Sequence, residues 1–410
     1  MPRAKTSDRR TIITVALRLA LFFAIAFAAF SLAFHNSPKT HAENARGAQI
    51  SIPNSRFKCS TDETGLTTAE RWLFLERVPG CALLRPPAGD GVLISSSSNT
   101  ARADLLSTSR KMPPFKNVEV ELEYETVLGS PVLFICLRPN LNRFDVDLEF
   151  LERAKVGRTV TDKVRLHTGE FEGDYGISVS ITGIGVARLK SIRAWYAGDY
   201  KRPDNPVFVL NLLSDHPPED GKLPWKNIHK LRSVFGFPSI EHAHFEQLTE
   251  EILKESDPSL VVLSPSSSKI DKPNRKKVEA ALKIVDESGL PIVGICLGHQ
   301  WFARYRGSRV TRGKEWGIHT MKMLARDPVF DGLPRLPFFY VSQSHNFMVD
   351  KPPSDAVLLA SSKAIECQMF RYRRPFTYTT QFHFERDWED SAPGGCVMWK
   401  NILRNYGLIE

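Results

Sequence analysis

Cys296 closes an apolar run and stands between Gly294 and Gly298 in the stretch GICLG. A thiol placed at a strand-to-helix turn is the cysteine form of a nucleophile elbow. Side chains at the two flanking positions would collide with neighbouring backbone, so both sites call for glycine. The head of a helix favours negative charge and therefore the thiolate, which is the reactive species. A thiolate that attacks a carbonyl needs a base beside it and a third group to orient that base. His383 and Glu385, two positions apart in YTTQFHFER, offer an imidazole and a carboxylate. In a strand, residues i and i+2 share a face. A bend at the strand's end would set Glu385 on the ring nitrogen turned away from sulfur. Thiol, imidazole and carboxylate together define acyl transfer through a thioester.

The elements that must position these groups follow from hydrophobic patterning. VFVLNLL (residues 207–213), SLVVLS (259–264) and PIVGIC (291–296) are continuous apolar runs, suited to strands buried on both faces. Between them, LPWKNIHKLRSVFG, LTEEILKESDP and NRKKVEAALKIVDESG have helical periodicity, and LGHQWFARYRG continues as a helix beyond Cys296. Buried strands alternating with amphipathic helices predict a doubly wound parallel α/β sheet over residues 205–410. In such sheets ligands bind beyond the carboxyl ends of the strands, where Cys296 falls.

Four motifs in matching order, GICLGHQ, EWG (315–317), SQSHNFMV (342–349) and TTQFHFE, resemble the class I glutamine amidotransferases of the Cys-His-Glu type. The resemblance covers about half the chain, from Val207 onward. It implies a flavodoxin-like sheet, with Cys296 as nucleophile, His383 as base and Glu385 as its orienter. It also implies that Gln300 and the segment Ser344, His345, Asn346 and Phe347 hold the α-amino and carboxylate groups of glutamine. His345 itself reads as a structural histidine ahead of a substrate contact, and His299, His319 and Trp316 as packing or pocket-shaping residues. The Leu297 N–H, just past the nucleophile, would meet the oxyanion, and no metal or organic cofactor is needed. Two departures stand out. Phe384 replaces the family's proline between histidine and glutamate. The loop SPSSSKID (264–271) lacks the glycines expected to supply a second oxyanion N–H. A donor turned inward there at positive φ would strain Ser266 or Ser267.

The remaining chain sets the context. Arg3, Lys5, Arg9 and Arg10 precede the apolar run LALFFAIAFAAFSLAF (19–34), somewhat short of a membrane span of roughly 20 residues. Residues 1–34 are thus expected to be a signal anchor or signal peptide, placing the catalytic part outside the cytoplasm. Residues 35–49 form a polar linker. Residues 50–200 alternate with period two, as in VEVELEYE (118–125), and predict an antiparallel β-sandwich-like domain with one helix at TTAERWLFLERV (67–78). Export would permit Cys59 and Cys81 to pair, whereas Cys136, Cys367 and Cys396 fit as buried small hydrophobes. A net charge of +9 is scattered without an aromatic-interleaved basic stripe, so no nucleic-acid partner is expected. The expected activity is hydrolysis of the glutamine side-chain amide to glutamate and ammonia, with any ammonia-accepting synthetase on a partner. A γ-glutamyl hydrolase or peptidase using the same triad is the alternative. A catalytically impaired membrane-associated scaffold or glycan-binding protein is the second.

Overall fold

The computed structural model describes residues 49–410 outside the segments 51, 53–58, 62–66, 70–71, 79–80, 85, 87–90, 99–101, 108–109, 140–146, 152–153, 171–172, 214–227, 267–273, 334–337, 375 and 387–393. Side chains are not described at 59–61, 67–69, 73, 75–78 and 338. The predicted membrane segment 1–34 lies outside the described residues, as do residues 35–48. Among the described residues no helix is long and apolar enough to cross a membrane. The expected Cys59–Cys81 pair involves a cysteine whose side chain is not described.

Residues 49–199 form two antiparallel sheets of six described strands each and a two-stranded one, Cys59–Thr61 with Thr67–Ala69. In one of the larger two, Lys116–Gly129 lies between Thr159–His167 and Gly185–Asp199. In the other, Val132–Pro139 lies between Asp147–Phe150 and Gly173–Thr182. Period-two alternation explains the layering. Val118, Val120, Leu122 and Tyr124 are buried, and join Leu133, Ile135, Val179 and Ile181 of the facing sheet in one apolar cluster. The intervening glutamates pair across strands, Glu119 with Arg165 at 3.0 Å and Glu125 with Lys190 at 3.6 Å. The helix expected at residues 67–78 is instead two strands, Thr67–Ala69 and Trp72–Val78. Ala, Glu, Arg and Leu favour a helix there, but antiparallel pairing with Arg102–Ser107 supplies hydrogen bonds and buries Trp72.

From Val207 the chain builds a sheet of nine described strands. Five are parallel, in the spatial order Ile240–His244, Val207–Asn211, Leu260–Leu263, Ile292–Ile295, Thr377–Thr380. That is the 2-1-3-4-5 order of a flavodoxin-like sheet. The expectation of a wholly parallel sheet needs correcting, because the sheet is mixed. Met369–Tyr372, Ala356–Ser361, Val310–Met323 and Phe338–Val349 continue it as antiparallel neighbours. Among the described residues of 310–380 there is no α-helix to cross over the sheet, and strands joined without one pair antiparallel. On the parallel part, the helix Arg275–Glu287 buries Val278, Ala281, Leu282 and Val285, one stripe at helical spacing.

The final helix, Gly394–Asn405, joins the two halves. Its buried Lys400 reaches Asp147 at 2.5 Å and Glu149 at 2.8 Å, both on the antiparallel part. His167 adds a second tie, Nε2 lying 3.0 Å from the Val234 carbonyl on the helix His229–Phe235.

Candidate active site

Cys296 sits between the strand Ile292–Ile295 and the helix Leu297–Tyr305, with φ 50° and ψ −98°. Positive φ on a non-glycine residue is strained and persists only when its surroundings hold it. The holding bonds are visible: Cys296 N–H donates to the Thr380 carbonyl at 2.7 Å, and its own carbonyl accepts from Gln300 N–H at 3.0 Å. The flanking glycines serve another purpose. A Cβ on Gly298 would lie 2.4 Å from the Leu263 oxygen, and one on Gly294 would lie 2.8 Å from Thr379 Cγ2. Their absent side chains let helix and strands approach closely, while the strain falls on the cysteine.

His383 and Glu385 are not in a strand. The strand ends at Thr380, and both residues lie in the turns that follow. The bend permits what a flat strand would not, with His383 Nδ1 2.7 Å from Glu385 Oε1. His383 N–H is anchored on the Ser342 carbonyl at 2.9 Å. Phe384, the departure from proline, is buried and stacks on Trp399 with centroids 4.6 Å apart, so packing stiffens this turn. Burial works against charge on the imidazole, but the Glu385 carboxylate and the Cys296 sulfur outweigh it and raise its pKa to about 10. His383 Nε2 and Glu385 Oε2 are buried with no hydrogen-bond partner among the described residues.

Cys296 and His383 open into one cavity of about 610 Å³. Gln300, Ser344, His345, Asn346 and Phe347 line it too, so the structure brings the nucleophile, histidine and expected substrate segment together. Ser266 also lines it, and its φ is not positive, so the strain expected there is absent. Ser267 lies outside the described residues. Leu297 is buried at the first position of the helix. Ser264 has a structural task, its Oγ accepting from Leu212 N–H at 3.0 Å.

Among the contributors, Glu315, Arg312, Lys314, Arg386 and Gln381 were not singled out by sequence reasoning. Glu315 is buried behind residues 344–347, accepting from Ser362 Oγ and Gln368 Nε2 at 2.6 Å each. His345 Nε2 lies 3.6 Å from it. Burial opposes its charge, but these neighbours hold the Glu315 pKa below its ordinary value. His345 Nδ1 lies 3.2 Å from the Gly313 carbonyl, so the histidine supports the wall as well as lining it. Arg312, Lys314 and Arg386 line the mouth, along with exposed Trp316. His299 is buried against Phe370, and desolvation drives its pKa down to about 3, which keeps it neutral. Gln381, next to the histidine turn, donates to Cys296 Sγ at 3.7 Å. The EWG motif was the available signal for Glu315; nothing local marks Gln381 apart from its place beside His383. Among the described residues no group of three or more His, Cys, Asp or Glu is placed to hold a metal ion.

A cysteine strained at an elbow, with a buried histidine–carboxylate pair beside it, thus stands at the carboxyl ends of the parallel strands. The family model for class-I glutamine amidotransferases matches residues 226–396. The glutamine-hydrolysing GMP synthase subunit from Pyrococcus abyssi is 30% identical over 185 residues, covering 44% of this chain and 92% of that protein. The corresponding subunit from Pyrococcus furiosus is 32% identical over 185 residues, with the same 44% and 92% coverage. The glutamine-hydrolysing GMP synthase of Pyrobaculum aerophilum is 32% identical over 172 residues, covering 41% of this chain but 32% of its own length. The chain belongs to the class-I glutamine amidotransferase family.

Proposed function

We propose that this chain hydrolyses the side-chain amide of glutamine through a γ-glutamyl thioester on Cys296. The observation that carries the reading is the buried His383–Glu385 pair, whose imidazole shares a cavity with the strained Cys296 and feels its sulfur. The Cys296 thiolate attacks the amide carbon and forms a C–S bond. The Leu297 N–H, with a second donor from the loop at Ser266 and Ser267, meets the oxyanion. His383 passes a proton to the departing nitrogen, the C–N bond breaks, and ammonia leaves. Water, deprotonated by His383, then breaks the C–S bond and releases glutamate. Gln300 and residues 344–347 hold the amino-acid end of the substrate.

The mouth supports a second reading. Among the described residues, Arg312, Lys314 and Arg386 line the cavity and no carboxylate does, which suits a γ-glutamyl compound with an anionic amine portion. Relatives named as a synthase subunit support delivery of ammonia to a partner chain. The basic and then apolar residues before position 35 support a membrane-anchored or exported placement, which protease accessibility on intact cells would test.

The deciding experiment is glutamate release from glutamine and from γ-glutamyl peptides, with Cys296→Ala as control. The expected result is release from glutamine that vanishes in the variant. Undiminished release by Cys296→Ala overturns the reading, and turnover of the peptides alone replaces it with γ-glutamyl hydrolysis.

A further inference from the structure

We propose that Gln381 is a second group acting directly on the nucleophile: its carboxamide N–H donates to Cys296 Sγ and stabilises the sulfur in its reactive, anionic form. The inference rests on the reading of Cys296 as nucleophile. The nitrogen and oxygen of a buried carboxamide look alike, so the direction of the bond needs a fixed reference. The Phe347 carbonyl is that reference, because it can only accept. Gln300 Nε2 lies 2.8 Å from it, which sets the orientation of Gln300. The same nitrogen lies 3.1 Å from Gln381, which must therefore turn its oxygen toward Gln300. Only the Gln381 nitrogen then remains to face sulfur, at 3.7 Å. Gln381 is fully buried, and its backbone N–H is held on the Gln368 carbonyl at 2.8 Å, so it has little freedom to turn away.

The same logic narrows the part played by Gln300. Both hydrogens of its Nε2 are committed, one to Phe347 and one to Gln381. Toward substrate it offers only its oxygen, an acceptor suited to the α-ammonium and not to the α-carboxylate. A chain of two carboxamides thus links the wall at Phe347 to the sulfur, making Gln300 a positioning residue for Gln381.

The test is the pH dependence of Cys296 alkylation by iodoacetamide without substrate, followed by peptide mass analysis, together with kcat and KM for glutamine. Gln381→Met keeps length without a donor. Alkylation at neutral pH should fall about three- to tenfold, the loss of one hydrogen bond. Its rise should move to higher pH, and kcat should drop in parallel while KM changes less than about twofold. Gln381→Glu still accepts from Gln300 but presents an oxygen to sulfur, and should slow alkylation at least as much; it covers poor folding of the methionine variant. Wild-type alkylation in both variants, or a rise in KM alone, overturns the inference. If Cys296→Ala abolishes turnover in that case, the proposed function stands and only the role of Gln381 falls. Undiminished turnover in Cys296→Ala would remove both.

Discussion

Two buried histidine–carboxylate pairs in this molecule have the same contact distance and opposite fates. His383 Nδ1 lies 2.7 Å from Glu385, and His167 Nδ1 lies 2.7 Å from Asp147. In the second pair both partners are engaged by further groups. His167 Nε2 reaches the Val234 carbonyl, the ring stacks on Tyr200 with centroids 4.0 Å apart, and Asp147 pairs with Lys400. The first pair is left open, since His383 Nε2 and Glu385 Oε2 have no hydrogen-bond partner among the described residues and His383 faces the cavity. A buried histidine–carboxylate contact is thus no mark of catalysis in itself. The difference lies in what the imidazole faces, a cavity shared with a strained thiol in one case and a backbone carbonyl in the other.

Breaking the two pairs should separate them. His383→Ala is expected to lower kcat for glutamine about 10²–10⁴-fold, the usual worth of a positioned acid–base group, with little change in melting temperature. His167→Asn should leave kcat unchanged and lower stability by about 1–3 kcal/mol, seen in urea unfolding.

Lys400→Met is next. It leaves His167 as the remaining partner of buried Asp147, and removing one partner of a buried pair costs about 3–5 kcal/mol. Burial alone would raise the Asp147 pKa, but Lys400 and His167 overrule it and hold it well below the usual carboxylate range. Its contribution is therefore in place above the unfolded value of about 3.9 and is lost as pH falls through the lower folded value. Lys400, whose pKa is raised, contributes at and below about 10.4 and loses that only in stronger base. Acid unfolding of Lys400→Met, followed by circular dichroism, should begin at higher pH than in wild type.

Glu385→Gln sharpens the open pair. The carboxylate helps to raise the His383 pKa, so its removal should bring that value down. The imidazolium that serves the departing nitrogen is then lost earlier, and the alkaline limb of kcat/KM moves to lower pH. Gly298→Ala tests packing at the elbow. Its Cβ meets the Leu263 backbone, and relieving the clash should cost about 1–3 kcal/mol in thermal unfolding.

The legible parts of the sequence were those carried by strong local patterns. The buried strands and the cysteine between glycines follow from apolar runs and steric need, and the glutamate ladder of residues 118–125 from alternation. What escaped depended on distant partners. The strand at 72–78 mixes helix formers (Leu, Glu, Arg) with strand formers (Trp, Phe, Val), and pairing with 102–107 decides between them. The antiparallel extension of the main sheet depends on how residues 310–380 return upon themselves. Gln381 is two positions from His383 in sequence, yet its meaning comes from Gln300 and Phe347, far along the chain. Lys400 has no local motif at all, and only the docking of its helix on the strand Asp147–Phe150 shows why a lysine is buried there.

The central claim is that the open histidine serves Cys296 in forming a thioester. Acid quenching during turnover of glutamine, followed by mass analysis of the peptide bearing Cys296, measures this directly. The account predicts one γ-glutamyl group on Cys296 in the wild type and none on that peptide in Cys296→Ala or His383→Ala. Glutamine hydrolysis that proceeds undiminished in Cys296→Ala, with no adduct on the wild-type peptide, would contradict it.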